Sequence, residues 1–229
     1  MFEMADLIVA AARRAWPGLC VLAGLLLCWC APALAVEFSA DLVRTPAGAA
    51  PVPAGRLMVR DGHVRIETPE LPDGFFLIDG SKPTAYFVRP AIRIYMDARQ
   101  SSRLTSWFVP VDADGPCRQW QAMARLAGEA HPDDMLCERV GEDVVDGRRL
   151  IAYRVIIDTS ERFVGWIDPI YRFPLRIRTK DGDIVSAENI LGIPQPAALL
   201  LLPPEFRKFD PETLIRQVKQ SDAWVAPPE

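Results

Sequence analysis

Apolar and polar residues alternate along most of this chain with the period of two that marks a half-buried strand. In the first such run, Phe38, Ala40 and Leu42 fall on one face, with Glu37, Ser39 and Asp41 on the other. A stretch rich in Pro, Ala and Gly over 46–55 breaks the pattern and predicts a loop. Strands are expected over 56–60 and 63–68, joined at Asp61-Gly62, a dipeptide that tolerates positive φ at both positions of a tight hairpin. Strands over 74–78, 84–88 and 92–96 follow, with Asp79-Gly80 as a turn. In the last of these, Ile92, Ile94 and Met96 alternate with Arg93, Tyr95 and Asp97.

The period changes after Asp97. Trp120, Met123 and Ala127 recur at helical spacing around a helix expected over 118–126, behind Pro116 at its start. Strands resume over 136–140, 150–157, 163–167, 173–179 and 184–189, with turns at Asp146-Gly147 and Asp181-Gly182. A proline-containing segment over 193–204 predicts extended chain. Asp210-Pro211-Glu212 then opens a short C-terminal helix carrying Leu214, Ile215 and Val218. A succession of hairpins this long cannot stay flat. The expected fold class is mainly β (α+β): a curled antiparallel sheet of about eleven strands forming an unclosed barrel, with a few helices covering its concave face.

Composition changes the picture at the N-terminus. Arg13 and Arg14, an apolar run over 19–30 and the small residues of Ala33-Leu34-Ala35 read as an export signal cleaved after residue 35. Residues 36–229 then form a single domain in the periplasm. The apolar run falls short of the roughly 20 residues a membrane span needs, so a membrane-spanning protein is not expected. Removing the signal takes Cys20, Cys28 and Cys30 with it and leaves Cys117 and Cys137. In an oxidising compartment that pair reads as a structural disulfide worth roughly 3 kcal/mol. The net charge of −4, without clustered Lys and Arg, argues against a nucleic-acid partner.

Catalysis finds no motif. His63 and His131 are far apart and each sits beside a turn; neither belongs to a metal-ligand spacing. Nucleophile elbow, P-loop and dinucleotide fingerprint are missing, so no catalytic residue, metal or cofactor is expected. Asp133-Asp134 and Glu142-Asp143 read as solvated loop charges. The aromatic residues say more, because a curled sheet gathers those of one face on its concave side. There they either fill a core or line a cavity for an apolar ligand. The cavity candidates are Phe75, Ile78, Tyr86, Ile92, Ile94, Met96, Trp107, Phe163, Trp166 and Phe173. Arg172, Arg176, Arg178 and Lys180 form a basic stripe, either a solvated face or a contact for anionic groups.

The block Gly74-Phe75-Phe76-Leu77-Ile78-Asp79-Gly80, then Thr84-Ala85-Tyr86-Phe87-Val88, Pro90 and Ile94-Tyr95-Met96, resembles the LolA/LolB-like lipoprotein-carrier superfamily. So does the later run of Asp168-Pro169, Pro174-Leu175-Arg176, Asp181-Gly182 and Pro203-Pro204-Glu205-Phe206. The resemblance implies a hydrophobic cavity under helical lids, with a lipid or lipoprotein acyl chains as cargo. It implies a binding or carrier protein and no enzyme. An envelope protein-interaction or sensor module on the same fold is the alternative. It also implies a cargo-handling arginine on an early strand, near Arg60 and Arg65. The chain departs from the pattern where Val36 leads almost directly into a strand, without an N-terminal amphipathic helix.

Overall fold

The computed structural model describes residues 36–98 and 102–211. The expected signal over 1–35, and the C-terminal helix beyond Pro211, lie outside the described residues. Among the described residues, no helix is long and apolar enough to cross a membrane.

Two antiparallel meanders make one sheet. The first comprises β1 (Glu37–Thr45), β2 (Val52–Arg60), β3 (His63–Glu67), β4 (Phe75–Asp79), β5 (Thr84–Arg89) and β6 (Ile94–Asp97). Two helices follow, α1 (Leu104–Trp107) and α2 (Cys117–Ala127). The second meander comprises β7 (Leu136–Val145), β8 (Arg148–Ile157), β9 (Ser160–Asp168), β10 (Phe173–Thr179) and β11 (Ile184–Leu191). Strand β11 returns to pair with β1, which joins the meanders. A two-residue β12 (Arg207–Lys208) adds in parallel to β6, so the order is β12-β6-β5-β4-β3-β2-β1-β11-β10-β9-β8-β7. The edges β12 and β7 do not meet, so the barrel is unclosed and mainly β, as the alternation predicts.

The curl has a local cause. Register shifts interrupt β1–β2 at Leu42/Val43, β1–β11 at Ser39/Asp41, β9–β10 at Pro174/Arg176, β8–β9 at Val155/Ile156 and β7–β8 at Arg139/Gly141. Each bulge bends its strand and increases the local twist. The pairing from β2 through β6 runs without a shift. Bending is therefore concentrated in the half built from β1 and β7–β11. Gly55 sits at one bulge with φ +145°, and a Cβ there would lie 2.0 Å from the Glu67 carbonyl oxygen. Only glycine fits that backbone approach.

Turn chemistry follows the dipeptides. Asp61-Gly62 has φ of 48° and 86°, and Asp146-Gly147 has 51° and 76°, the double positive φ of a two-residue hairpin. At Asp79-Gly80 the carboxylate organises a longer turn, accepting hydrogen bonds from the Ser81 and Lys82 N–H groups and the Ser81 hydroxyl. Two expectations need correction. Strand β2 begins at Val52, inside the segment expected as loop, because its pairing with β1 continues past the bulge. Ile92 does not belong to a strand: Pro90 fixes φ and opens a 3-10 turn over Pro90–Ile92, which Arg93 ends in the left-handed region.

Helix α2 packs Trp120, Met123 and Ala124 onto the concave face. Gly128 closes it in the left-handed conformation, its N–H reaching Ala124 and Arg125 carbonyls. The Cys117–Cys137 disulfide, with a Cα–Cα distance of 5.5 Å, ties the first residue of α2 to β7. Reduction should therefore lower stability by about 3 kcal/mol, as expected for a loop of this length. Urea unfolding with and without reductant measures this, and an unchanged midpoint would mean that packing alone holds α2.

Candidate functional site

The inner face is mostly filled. Strand register places Phe38, Ala40, Leu42, Leu57, Val59, Val64, Ile66, Phe76 and Ile78 on it, all buried. Trp120 stands over Gly165, where an added Cβ would lie 2.7 Å from the indole. Its ring meets Phe163 edge-on at 5.1 Å, and its Nε1–H donates to the Trp107 carbonyl at 3.2 Å. Phe38, Phe108 and Phe173 make a second aromatic group, with Tyr171 stacked on Phe38 at 4.7 Å. The Tyr153 hydroxyl donates to the Ala113 carbonyl at 2.9 Å, pinning the segment between the helices over this core.

Recesses remain among the described residues. One, of about 400 Å³, lies beside the end of β11 and is lined by Arg148, Leu150, Leu175 and the backbone-rich run from Ser186 to Ile190. Nearby, Asp168 is buried but satisfied, accepting from Arg148 and from the Ile170 and Tyr171 N–H groups. The polar groups there serve the fold. The other, of about 360 Å³, opens between α1, the turn before β4 and the β10–β11 hairpin. Its apolar wall comprises Leu71, Phe76, Leu104, Trp107 and Val185. Charges ring it: Arg44, Arg103, Glu70, Asp181 and Asp183. An apolar wall with a few polar groups is the usual make-up of a small-molecule site, and this volume is near the lower end of the roughly 300–1,000 Å³ range. This recess is the candidate site.

Asp183 anchors one side of it. Its carboxylate accepts from Arg44 at 2.5 Å and from the Ala47 N–H at 3.0 Å. The Arg44 guanidinium, aided by that N–H, holds its pKa below the ordinary 3.8. The first turn after β1 is thus fastened to the β10–β11 hairpin by charge-assisted bonds.

The structure divides the cavity candidates. Ile78, Phe163 and Phe173 lie in the packed core. Met96 pairs with Phe87, on the face shared with Phe76. Ile94 is buried outside the main core cluster. Trp107 alone of the set lines the recess. Phe75, Tyr86 and Trp166 do not share the concave face. The Arg65 guanidinium lies 3.4 Å over the Phe75 ring, Tyr86 meets Tyr95 edge-on, and Arg178 lies 5.8 Å from the Trp166 ring. Register puts all three on the outer face, one residue out of step with their inward neighbours Phe76, Phe87 and Gly165. Ile92 is exposed in its turn.

Arg60 and Arg65 are also outward. Arg60 donates to the Gln195 carbonyl at 2.6 Å and Arg65 to the Leu199 carbonyl at 3.2 Å, so both hold the returning segment after β11 across the outer face. The basic stripe is interrupted. Arg176 donates to Ser186 and Arg178 approaches Glu161, whereas Arg172 sits in a left-handed turn beside Asp112. Sequence spacing also hid one grouping: exposed His131, Asp134 and Asp158 bring possible metal-ligating atoms within 4.8 Å, because the β8–β9 turn folds Asp158 toward the loop after α2. His63 lies 3.8 Å from Asp79.

No family model matches this sequence, and no curated protein does. Among solved structures the chain is similar to an uncharacterised conserved protein from Thermus thermophilus, with TM-score 0.42 and 12% identity, covering 77% of this chain and 91% of that one. It is similar to MucB in the MucA/MucB complex of Pseudomonas aeruginosa, with TM-score 0.36 and 17% identity over 74% of this chain, and it spans 56% of that chain. A third is LolA superfamily protein NE2245 from Nitrosomonas europaea, at TM-score 0.32 and 12% identity, covering 73% of this chain and 90% of that one. Function rests on the geometry of the site itself.

The Asp183 tether has a pH signature. Its pKa is lower in the folded state than in the unfolded chain, so the stabilisation is present above the unfolded value and disappears as pH falls through the lowered one. Asp183→Asn should unfold at lower urea concentration than the wild type at pH 7. The two should converge on acidification below 3.8. A gap that persists in acid would assign the effect to something other than this charge.

Proposed function

We propose that this is a non-enzymatic binding protein of the periplasm that holds a hydrophobic ligand in the recess beside α1. The observation that carries the reading is the apolar wall of Leu71, Phe76, Leu104, Trp107 and Val185 around about 360 Å³ of open space on a face that is otherwise mostly filled. A disulfide between the two cysteines that would survive signal cleavage supports export. The volume suits one alkyl or acyl chain better than several, since it is near the lower limit for ligand cavities of about 300 Å³. Cargo of the lipoprotein-carrier kind would therefore enter one chain at a time.

A second reading, an envelope protein-interaction module, draws on the free edge of β7. Among the described residues, this ten-residue strand presents Leu136, Val140 and Val144 to solvent and pairs only with β8. An extended segment of a partner could add there through backbone hydrogen bonds. Its register shift at Gly141 and its flanking charges are features that restrain indiscriminate pairing.

Mass spectrometry of the protein taken intact from its native envelope, with lipid extraction, tests the first reading; a co-purifying acyl compound is expected. Leu104→Arg should weaken binding of an uncharged hydrophobic dye about tenfold, or 1.4 kcal/mol, with little change in thermal unfolding, because Leu104 is only half-buried. Equal dye binding by both proteins would place the ligand elsewhere.

A further inference from the structure

Strands β10 and β11 separate before either one ends. Their pairing covers only residues 176–178 and 184–186, whereas β10 starts at Phe173 and β11 runs on to Leu191. Two local causes are visible. Pro174 has no N–H to donate, and Leu175 is the extra residue where the β9–β10 register shifts, which bends β10. On β11, Asn189 takes a positive φ of 51° where the pairing with β1 also shifts. Beyond Ser186, β11 is therefore paired with β1 on one side and, among the described residues, with no strand on the other.

The recess of about 400 Å³ lies where the two strands separate, lined by Leu175 and by all five residues 186–190. Side chains alternate between the faces of a sheet, so five consecutive residues line one recess only where it runs along their backbone edge. Val145, Asp146, Arg148 and Leu150 of the β7–β8 hairpin complete the lining. Arg148 is engaged by Asp168 and Tyr171, and Asn189 by Asp41. What the slot offers is chiefly the backbone N–H and C=O groups of β11, in strand geometry. Water satisfies such an edge in the free protein. An extended peptide satisfies it with complementary groups at the same spacing, while its alternate apolar side chains meet Val145, Leu150 and Leu175. With strands about 4.8 Å apart and a rise of about 3.3 Å per residue, the volume suits two or three residues. We propose that this slot binds a short extended segment of a partner protein, which adds to β11 as a strand where β10 has left it. The site is separate from the recess beside α1 and from the free edge of β7.

The test is a titration of the intact protein with the blocked tetrapeptide acetyl-Thr-Val-Thr-Val-amide, followed through the backbone amide resonances. Shifts are expected at residues 187–190 and at Leu175, with none at Leu136 on β7 or at Leu104 in α1. Two analogues N-methylated at alternate residues keep every side chain but lose backbone donors. At least one of them should bind about fivefold more weakly than the parent. Val145→Trp, at a half-buried position in the lining, should fill the slot and weaken the parent peptide about tenfold, with dye binding beside α1 unchanged. Should that variant fail to fold, the analogues decide by themselves. No shift at 187–190, or shifts confined to the β7 edge, would overturn the proposal. Equal binding of the parent and both methylated forms would also overturn it, by making the slot a site for apolar side chains and not for a strand. None of these results bears on the recess beside α1.

Discussion

The seat of Trp120 on Gly165 is the constraint on which the rest of this structure depends. A side chain at residue 165 would collide with the indole, so the helix can approach the sheet this closely only because that strand position is bare. The same indole closes against Phe163 and donates its N–H to the Trp107 carbonyl. Burying a large aromatic side chain with its one polar atom satisfied is strongly favourable. Here it also fixes where α1 ends. Trp107 is thereby held at the wall of the recess, so the core and the candidate site share one interaction. The disulfide acts on the other side of the same helix, tying its first residue to the edge strand β7.

The two faces of the sheet divide the work. Aliphatic and aromatic groups fill most of the inner face, with a recess beside α1 and another beside the end of β11. The outer face is partly covered by the chain returning after β11, which Arg60 and Arg65 hold through backbone carbonyls, while Arg65 also stacks on Phe75. Each also pairs with a carboxylate, Arg65 with Glu67 and Arg60 with Glu37 and Asp61, so one planar guanidinium serves a charged and a neutral acceptor together. Cationic side chains on this half of the sheet thus serve as struts. Among the described residues lining the recess the balance is different, with carboxylates outnumbering guanidiniums.

Much of the architecture was legible because it depends on local rules. Alternation in Phe38, Ala40 and Leu42 could bury only one face, and Asp61-Gly62 and Asp146-Gly147 supplied the backbone freedom of their turns. Helix α2 followed from the spacing of Trp120 and Met123, and the Cys117–Cys137 pair from counting the cysteines outside the expected signal. The cavity set was less legible. Phe75 and Phe76 are neighbours of equal hydrophobicity that point to opposite faces, and composition cannot say which one faces in. The outward pair of Tyr86 and Trp166 misled for the same reason, since arginines and a second tyrosine give them partners outside the core. Ile92 continued the alternation on paper, but Pro90 had already ended the strand.

Sequence alone determined that this chain makes hairpins and curls, because hydrophobic period and turn propensity are properties of neighbouring residues. Tertiary structure decided where the sheet bends, which aromatic residues share a face, and how much of the concave side stays open. Those outcomes depend on register shifts and on contacts between residues far apart in the chain. Thr179 shows the difference. In the sequence it is one more strand threonine before a turn. Only in the folded sheet does its hydroxyl become a buried group with no hydrogen-bond partner among the described residues.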